Sequence, residues 1–216
     1  MTWAAVFDLD GTLIDSLPNV QAAANAVLGE SGLPALSAKV VAGFVGRGEG
    51  VFVDRLIGAT ALDRDQRASV MERFIHHYKI EAQKTVTFPG VRAALNELKG
   101  QGVPMGLVTN KPRAPLGPTL TAANLDDMFD VVIAGDDLPQ RKPDPEPLLQ
   151  AIRLLGATAG VYVGDSEVDA ATAKAANIPF VLFTEGIRQT PVEDMAFAAR
   201  FDRFENLGAC LAGLRS

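Results

Sequence analysis

Short apolar runs and longer amphipathic segments alternate along most of the chain. Each apolar run is continuous, which is typical of strands in a sheet that is covered on both faces. Between the runs, apolar residues recur with the spacing of helices. This alternation predicts an α/β fold with a doubly wound, Rossmann-like parallel sheet and right-handed crossovers. The predicted strands are Trp3–Phe7, Val103–Val108, Val131–Ile133, Val161–Val163 and Pro179–Phe183, and the predicted helices are Val91–Leu98, Leu116–Leu125, Glu146–Leu155 and Glu167–Ala176.

One long stretch, residues 16–84, departs from this alternation. It contains helical patterns without a convincing strand, among them an Ala-rich run and a helix on which Val70 and Tyr78 share a face. Glycine-containing connections separate these helices. We therefore predict a helical insertion over residues 16–84, placed after the first strand of a core that comprises residues 1–15 and 85–216.

Composition narrows the class of protein. The 216 residues are 48% apolar and 21% charged, which is the balance of a soluble globular chain. One cysteine, Cys210, excludes an intramolecular disulfide, and two adjacent histidines argue against a Cys/His zinc site. The formal net charge of −6 disfavours nucleic acids and anionic membranes as partners. Without a secretory signal or an apolar window long enough to span a bilayer, the expected location is the cytoplasm.

Polar residues follow the predicted strands at the point where each strand ends. In open parallel sheets, ligands bind beyond the carboxyl ends of the strands, so residues distant in sequence meet there. The sequence therefore predicts a single site at this edge. Its candidate members are Asp8, Asp10, Thr109, Asn110, Asp136, Gly164 and Asp165.

The first of these groups is Asp8-Leu9-Asp10-Gly11. Two carboxylates this close repel each other, so a cation is expected between them. Oxygen ligands of this kind suit Mg²⁺. Gly11 allows a tight turn and a close approach of the backbone to a ligand. The alternative is a polar turn that caps the following helix.

Three further groups carry chemistry in the same way, each with a structural alternative. Asp165 is placed as a metal ligand, and Asp169, one helical turn later, could orient it; the alternative is that Asp165 or Ser166 caps a helix. Thr109 and Asn110 can donate hydrogen bonds to phosphate oxygens, or they cap a helix. Lys142 lies in a proline-stiffened segment that could hold a fixed positive charge, or it belongs to a solvated basic pair.

The order and spacing of these four groups resemble the haloacid dehalogenase superfamily of aspartate-nucleophile phosphatases. The matching pieces are Asp8-Leu9-Asp10-Gly11-Thr12, then Thr109, then Lys142, and finally Gly164-Asp165 with Asp169. The resemblance covers nearly the whole chain, and residues 16–84 fall where that family inserts a helical cap. It implies phosphate-ester hydrolysis through an aspartyl-phosphate on Asp8. Asp10 would protonate the leaving oxygen and then activate water.

The resemblance also implies a cofactor and a phosphate-binding set. Mg²⁺, with Mn²⁺ as the alternative, would be held by the Asp8 and Asp165 side chains and the main-chain carbonyl of Asp10. Asp169 would act behind these ligands or as an occasional ligand. The residues expected to bind the phosphate are Thr109, Lys142, Asn110 and the backbone at Gly11.

Within the superfamily, the chain resembles the phosphoglycolate phosphatase branch in the strings DLDGTLIDS, FVGRG and VTNKP. This implies a small phosphorylated metabolite, 2-phosphoglycolate, as substrate. Arg47, in the glycine-flanked loop, is expected to bind its carboxylate. The open alternatives are a phosphatase for a sugar phosphate, pyrophosphate or a nucleotide, a phosphosugar mutase, and an inactive relative that binds a partner. Both a monomer and a homodimer are compatible with the sequence.

Overall fold

The computed structural model describes residues 2–214 and contains a six-stranded parallel sheet and a two-stranded antiparallel ribbon. The strands are β1 (Trp3–Phe7), β2 (Ile14–Asp15), β3 (Val86–Thr87), β4 (Met105–Val108), β5 (Val131–Ile133), β6 (Ala159–Gly164), β7 (Phe180–Phe183) and β8 (Ala199–Phe201). The helices are α1 (Leu17–Glu30), α2 (Ala38–Ala42), α3 (Gly48–Gly58), α4 (Arg67–Ala82), α5 (Val91–Gly100), α6 (Arg113–Ala122), α7 (Glu146–Leu154), α8 (Glu167–Ala176) and α9 (Leu207–Ala212).

The order of the strands in the large sheet is β5-β4-β1-β6-β7-β8, and every pair in it is parallel. Side chains of β1 alternate between two hydrophobic cores: Ala5 and Phe7 pack with α5 and α6, whereas Val6 packs with α7. Both faces of the sheet are therefore covered by helices. This confirms the predicted doubly wound α/β fold.

The boundaries of several elements differ from the prediction. The helix predicted over Leu116–Leu125 runs from Arg113 to Ala122, because Pro112 is extended and Asn124 takes a positive φ of 54°. The first predicted strand after the insertion begins at Met105 rather than at Val103. At the end of α8, Asn177 adopts the left-handed conformation expected of a helix-terminating asparagine.

Two short elements near the C-terminus were not predicted. The strand β8 has three residues at the edge of the sheet, and α9 has six. Apolar runs this short carry little periodicity. In β8 the ring of Phe201 packs on Phe183 at a centroid distance of 5.2 Å, and in α9 the buried residues are Leu207 and Leu211.

Four helices, α1 to α4, follow β2 and precede β3, and we call residues 16–84 the cap segment. The strands β2 and β3 pair where the chain leaves and re-enters the sheet region, with Ile14 opposite Thr87. The cap segment has a hydrophobic cluster of its own. In it the ring of Phe74 stacks on Phe52 at 4.6 Å and on Tyr78 at 5.6 Å. The division of the chain at residues 15 and 84 stays a prediction.

Within residues 2–214, none of the helices combines the length and the apolar character that crossing a membrane requires.

Candidate active site

The topology brings the candidate residues together at the carboxyl edge of the sheet. β1 lies between β4 and β6, so Asp8, Thr109 and Asp165, which follow these three strands, are neighbours. Asp136, which follows β5, lies apart from them. Its side chain is exposed and accepts a hydrogen bond of 2.7 Å from the Arg113 amide at the start of α6, so it acts as a helix cap.

A cavity of about 70 Å³ lies between this edge and the cap segment. Its core side is lined by Asp8, Asp10, Thr109 and Lys142, among others, and its cap side is apolar except for Glu49 and Tyr78. A cavity of this volume is well above the minimum that holds one water molecule, and it suits a small ligand.

Lys142 forms the centre of a buried ion cluster. Its Nζ lies 2.7 Å from Asp8 Oδ1 and 2.7 Å from Asp169 Oδ1, and it donates a 2.9 Å hydrogen bond to the Tyr162 hydroxyl. Burial and the charge of Asp169 raise the pKa of Asp8 to about 7, although Lys142 acts in the opposite direction. The lysine is therefore not a member of a solvated basic pair, and Asp8 faces a fixed cation.

Asp165 is held by two donors on opposite sides. Thr12 Oγ1 donates to Asp165 Oδ1 at 2.7 Å, and the backbone amide of Ile187 donates to Oδ2 at 2.6 Å. Burial, with the nearby charges of Asp169 and Asp8, raises the pKa of Asp165 well above its usual value. The backbone comes close here, because a Cβ on Gly186 would lie 2.3 Å from the Cβ of Asp165.

Asp169 has both of its carboxylate oxygens occupied. Oδ1 accepts from Lys142 and from Tyr162, and Oδ2 accepts a 2.6 Å hydrogen bond from Ser166 Oγ. Ser166 in turn caps α8 through the Asp169 amide, so the capping expected for this turn and the site coexist. Burial opposes ionisation, but Lys142 and the hydrogen bonds lower the pKa of Asp169.

The carboxylates at this edge suit a divalent cation. Asp8, Asp165 and Asp169 each place an oxygen within 4.8 Å of the others, and all three are buried. Among the described residues, Lys142 is the lysine that contacts this group, and burial raises the pKa of two of the three carboxyls. A further positive charge would relieve this, and oxygen ligands match Mg²⁺ or Mn²⁺. Asp169 Oδ1 accepts from both Lys142 and Tyr162 and Oδ2 from Ser166, whereas each oxygen of Asp165 accepts from one neutral donor, so Asp169 fits a supporting position better than a ligand position.

Asp10 lies on the cap side of Asp8 and contacts a second lysine. Lys111 Nζ is 2.8 and 3.0 Å from the two carboxylate oxygens of Asp10, and it also donates to the hydroxyl of Tyr78. Burial alone would lower the pKa of Lys111, but Asp10 and Tyr78 raise it above its usual value. The lysine side chain is 2% exposed, so it points into the site rather than to solvent.

Thr109 and Asn110 have different surroundings. The Thr109 hydroxyl accepts a 3.1 Å hydrogen bond from the Lys111 amide, which leaves its own proton free to be donated. The Asn110 side chain donates to the carbonyls of Gly46 and Lys142 and accepts from the Lys142 amide, at 3.0–3.1 Å. Asn110 thus joins the cap segment to the Lys142 loop, and its side-chain donors are used in doing so.

Arg47 is not among the described residues that line the cavity, and its binding of a substrate carboxylate stays a prediction. Its residue is exposed, although Gly46 and Gly48 on either side line the cavity. Gly11, in contrast, sits in the site with a φ of 86°, and a Cβ there would come within 2.4 Å of Asp165 Oδ2. Apart from Arg47 and Asp136, the structure brings the predicted site residues to the cavity or to the ion cluster behind it.

Several side chains that lie at the site were not identified as site residues from the sequence. Lys111 directly follows two predicted site residues, and this adjacency was a usable signal. Tyr162 lies within an apolar strand and Tyr78 on an apolar helix face, so the pattern indicated core packing for both. Glu49 stands between two glycines in the cap segment, where its burial, with 8% exposed, could not be foreseen.

Comparisons with known proteins identify the family of the chain. The family model of haloacid dehalogenase-like hydrolases matches residues 5–183. A phosphoglycolate phosphatase of Cereibacter sphaeroides is 43% identical over 205 residues, covering 94% of each chain. A plasmid-encoded phosphoglycolate phosphatase of Cupriavidus necator is 44% identical over 187 residues, covering 85% of this chain and 81% of that protein. A crystal structure from Haemophilus somnus, described as a predicted phosphoglycolate phosphatase, superposes with a TM-score of 0.91 at 29% identity, covering 96% of this chain and 97% of that one.

Proposed function

The chain belongs to the haloacid dehalogenase-like hydrolases and is a phosphatase, and on this basis we propose that it hydrolyses 2-phosphoglycolate to glycolate and phosphate through a phosphorylated Asp8. The observation that carries the chemistry is the contact of 2.7 Å between Asp8 and Lys142, which both line a small cavity between the core and the cap segment. The choice of substrate rests on relatives that are named phosphoglycolate phosphatase and that align with this chain over most of their length.

The nucleophile in this proposal is Asp8. Its Oδ1 is paired with Lys142, which leaves Oδ2 to attack the phosphorus in line with the leaving oxygen. The P–O bond to the substrate breaks as the bond to Asp8 forms. Lys142 neutralises charge on the equatorial oxygens of the phosphoryl group, and the Thr109 hydroxyl donates a hydrogen bond to one of them.

Asp10 serves as acid and then as base. In the first step it gives a proton to the leaving alkoxide, and in the second it takes one from the water that hydrolyses the aspartyl-phosphate. Asp10 lines the cavity and faces Tyr78 of the cap segment, and we propose that the leaving group lies on this side. Lys111 and Tyr78 hold its carboxylate in place until substrate enters.

Mg²⁺ is the cation proposed for the site, with Mn²⁺ as the alternative. Asp8 and Asp165 would hold it through their side chains and Asp10 through its main-chain carbonyl, with Asp169 behind them. When bound, it would neutralise the charge between an anionic nucleophile and an anionic phosphate ester. Thr12 and the Ile187 amide orient Asp165 for this purpose.

The cap segment supplies the other wall of the site. The hydrogen bond from Asn110 to the Gly46 carbonyl and the contact of Lys111 with Tyr78 join it to the core. A cap in this position excludes bulk water and limits the size of the substrate. The cavity of about 70 Å³ favours a two-carbon phosphate over a nucleotide.

Phosphate release from a panel of substrates tests the proposal. The panel contains 2-phosphoglycolate, several sugar phosphates, pyrophosphate and mononucleotides, each with Mg²⁺ and with a chelator. We expect a strong preference for 2-phosphoglycolate that is lost with the chelator and in Asp8→Asn. Preferred turnover of a sugar phosphate would keep the chemistry and reject the substrate. Activity retained by Asp8→Asn would reject the chemistry.

A further inference from the structure

The cavity contains a second positive charge to which the phosphoryl-transfer chemistry assigns no contact with the substrate. Among the described residues that line it, the cationic side chains are Lys142 and Lys111. Lys142 is committed to Asp8, Asp169 and Tyr162 on the phosphate side. Lys111 is separate from this cluster and lies on the side of Asp10 that faces the cap.

Burying the charged side chain of a lysine beside a small cavity is unfavourable in free energy. Lys111 is 2% exposed, and taking an ammonium group out of water costs several kcal/mol unless paired groups offset it. In this structure its partners are both oxygens of Asp10 and the Tyr78 hydroxyl. Orienting Asp10 does not by itself require a lysine, since a neutral hydrogen-bond donor could do the same.

The position of Lys111 matches the part of the substrate that leaves. Asp10 must reach the oxygen that joins the phosphorus to carbon, and Lys111 Nζ is hydrogen-bonded to Asp10 at 2.8 Å. In 2-phosphoglycolate one methylene separates that oxygen from the carboxylate. A substrate whose leaving oxygen meets Asp10 therefore brings its carboxylate to Lys111.

We propose that Lys111, positioned by Tyr78, is the residue that binds the carboxylate of the substrate and so selects an anionic two-carbon phosphate. This inference rests on the proposed function and deepens it. On binding, Lys111 shares its N–H donors between Asp10 and the incoming carboxylate, and the Tyr78 hydroxyl holds the ammonium group at the cap side. The role that the sequence suggested for Arg47 passes to a lysine of the core.

The substrate pair that tests this is 2-phosphoglycolate and ethyl phosphate, which has a methyl group in place of the carboxylate. For the unaltered enzyme with Mg²⁺, kcat/KM is measured for both, and again for Lys111→Met. A charge-assisted hydrogen bond contributes about 1.5–3 kcal/mol, so the ratio of the two kcat/KM values should fall roughly 10- to 100-fold in Lys111→Met. Lys99→Met is the matched control, because Lys99 lies on α5, half exposed, near Asp127.

Each outcome has a distinct meaning. If the unaltered enzyme does not prefer 2-phosphoglycolate to ethyl phosphate, the proposed substrate is rejected before any variant is considered. If the preference exists and Lys111→Met lowers both kcat/KM values equally, Lys111 only positions Asp10 and the inference is overturned. A selective loss for 2-phosphoglycolate, expressed mainly in KM, supports it.

A second measurement does not depend on the folding of a variant. Phosphoethanolamine has the length of 2-phosphoglycolate but places an ammonium group where the carboxylate would be. Next to Lys111 this group would be repelled, so we expect the unaltered enzyme to hydrolyse it more slowly than ethyl phosphate. Turnover of phosphoethanolamine that equals or exceeds turnover of ethyl phosphate would overturn the inference.

Discussion

Replacing Gly186 by alanine should disable the proposed metal site without replacing any of its proposed ligands. The Cβ of such an alanine would lie 2.3 Å from the Cβ of Asp165 and 2.3 Å from the Gly11 carbonyl oxygen. Non-bonded carbons approach to about 3.5 Å, so the loop and Asp165 must separate by roughly 1.2 Å. Neither neighbour is a flexible side-chain end that could swing away. The Ile187 amide, which donates to Asp165 Oδ2 at 2.6 Å, moves with the loop.

The size of the effect follows from this displacement. Misplacing a catalytic group by about 1 Å costs on the order of 100-fold in rate, so kcat/KM should fall by about that factor in Gly186→Ala. Overpacking should lower the free energy of unfolding by about 1–3 kcal/mol. The affinity for Mg²⁺, measured by titration calorimetry, should fall as well, because Asp165 loses its orientation.

The matched control is Gly29→Ala. Gly29 lies within α1, and nothing stands within 4 Å of the position of its Cβ. Alanine there should leave kcat/KM unchanged and stabilise the chain by up to about 1 kcal/mol, since it favours the helix. If Gly186→Ala bound Mg²⁺ and turned over substrate like the unaltered enzyme, the account of how Asp165 is held would be refuted.

Three further predictions follow from the charges at the site. Lys142→Met leaves Asp8 and Asp169 without their cation, so urea unfolding should show a loss of about 3–5 kcal/mol at pH 8; an unchanged midpoint would contradict the ion cluster. Because Asp8 has a pKa of about 7, Mg²⁺ must displace its proton below that pH, and the calorimetric affinity should fall about tenfold from pH 8 to pH 6; a pH-independent affinity would argue against Asp8 as a ligand. Burial raises the pKa of Glu49 to about 7, so above that pH its charge should repel the substrate carboxylate. In Glu49→Gln the preference for 2-phosphoglycolate over ethyl phosphate should therefore rise several-fold at pH 8 and little at pH 6, and an equal change at both would refute this role.

The parallel sheet could be predicted because each central strand is a continuous apolar run that ends in a polar residue. The same rule placed Asp8, Thr109 and Asp165 together, since strand order alone determines which carboxyl ends are neighbours. It failed for Asp136, because β5 lies at the edge of the sheet and its end is turned to the start of α6. Position at a strand end is therefore informative mainly for the central strands.

The cap side of the site could not be predicted in the same way. Periodicity placed Tyr78 on a buried helix face, but it does not show where a hydroxyl points once the helix packs on the core. The same limit applied to Arg47 and Glu49 at the start of α3. The glycines around them predicted a connection, and only the fold shows that the glutamate is buried at the cavity and the arginine is exposed. Asn110 is of a residue type suited to phosphate binding, but in the structure its side chain is hydrogen-bonded to Gly46 and to Lys142.

The measurement that tests the central claim most directly is trapping of the phosphorylated enzyme. In Asp10→Asn the base for the second step is removed, whereas p-nitrophenyl phosphate has a leaving group that needs no proton in the first. With Mg²⁺ and this substrate, we expect the variant to gain the mass of one phosphoryl group, localised to the peptide that contains Asp8. Release of p-nitrophenol without modification, or phosphorylation of a different residue, would contradict the account.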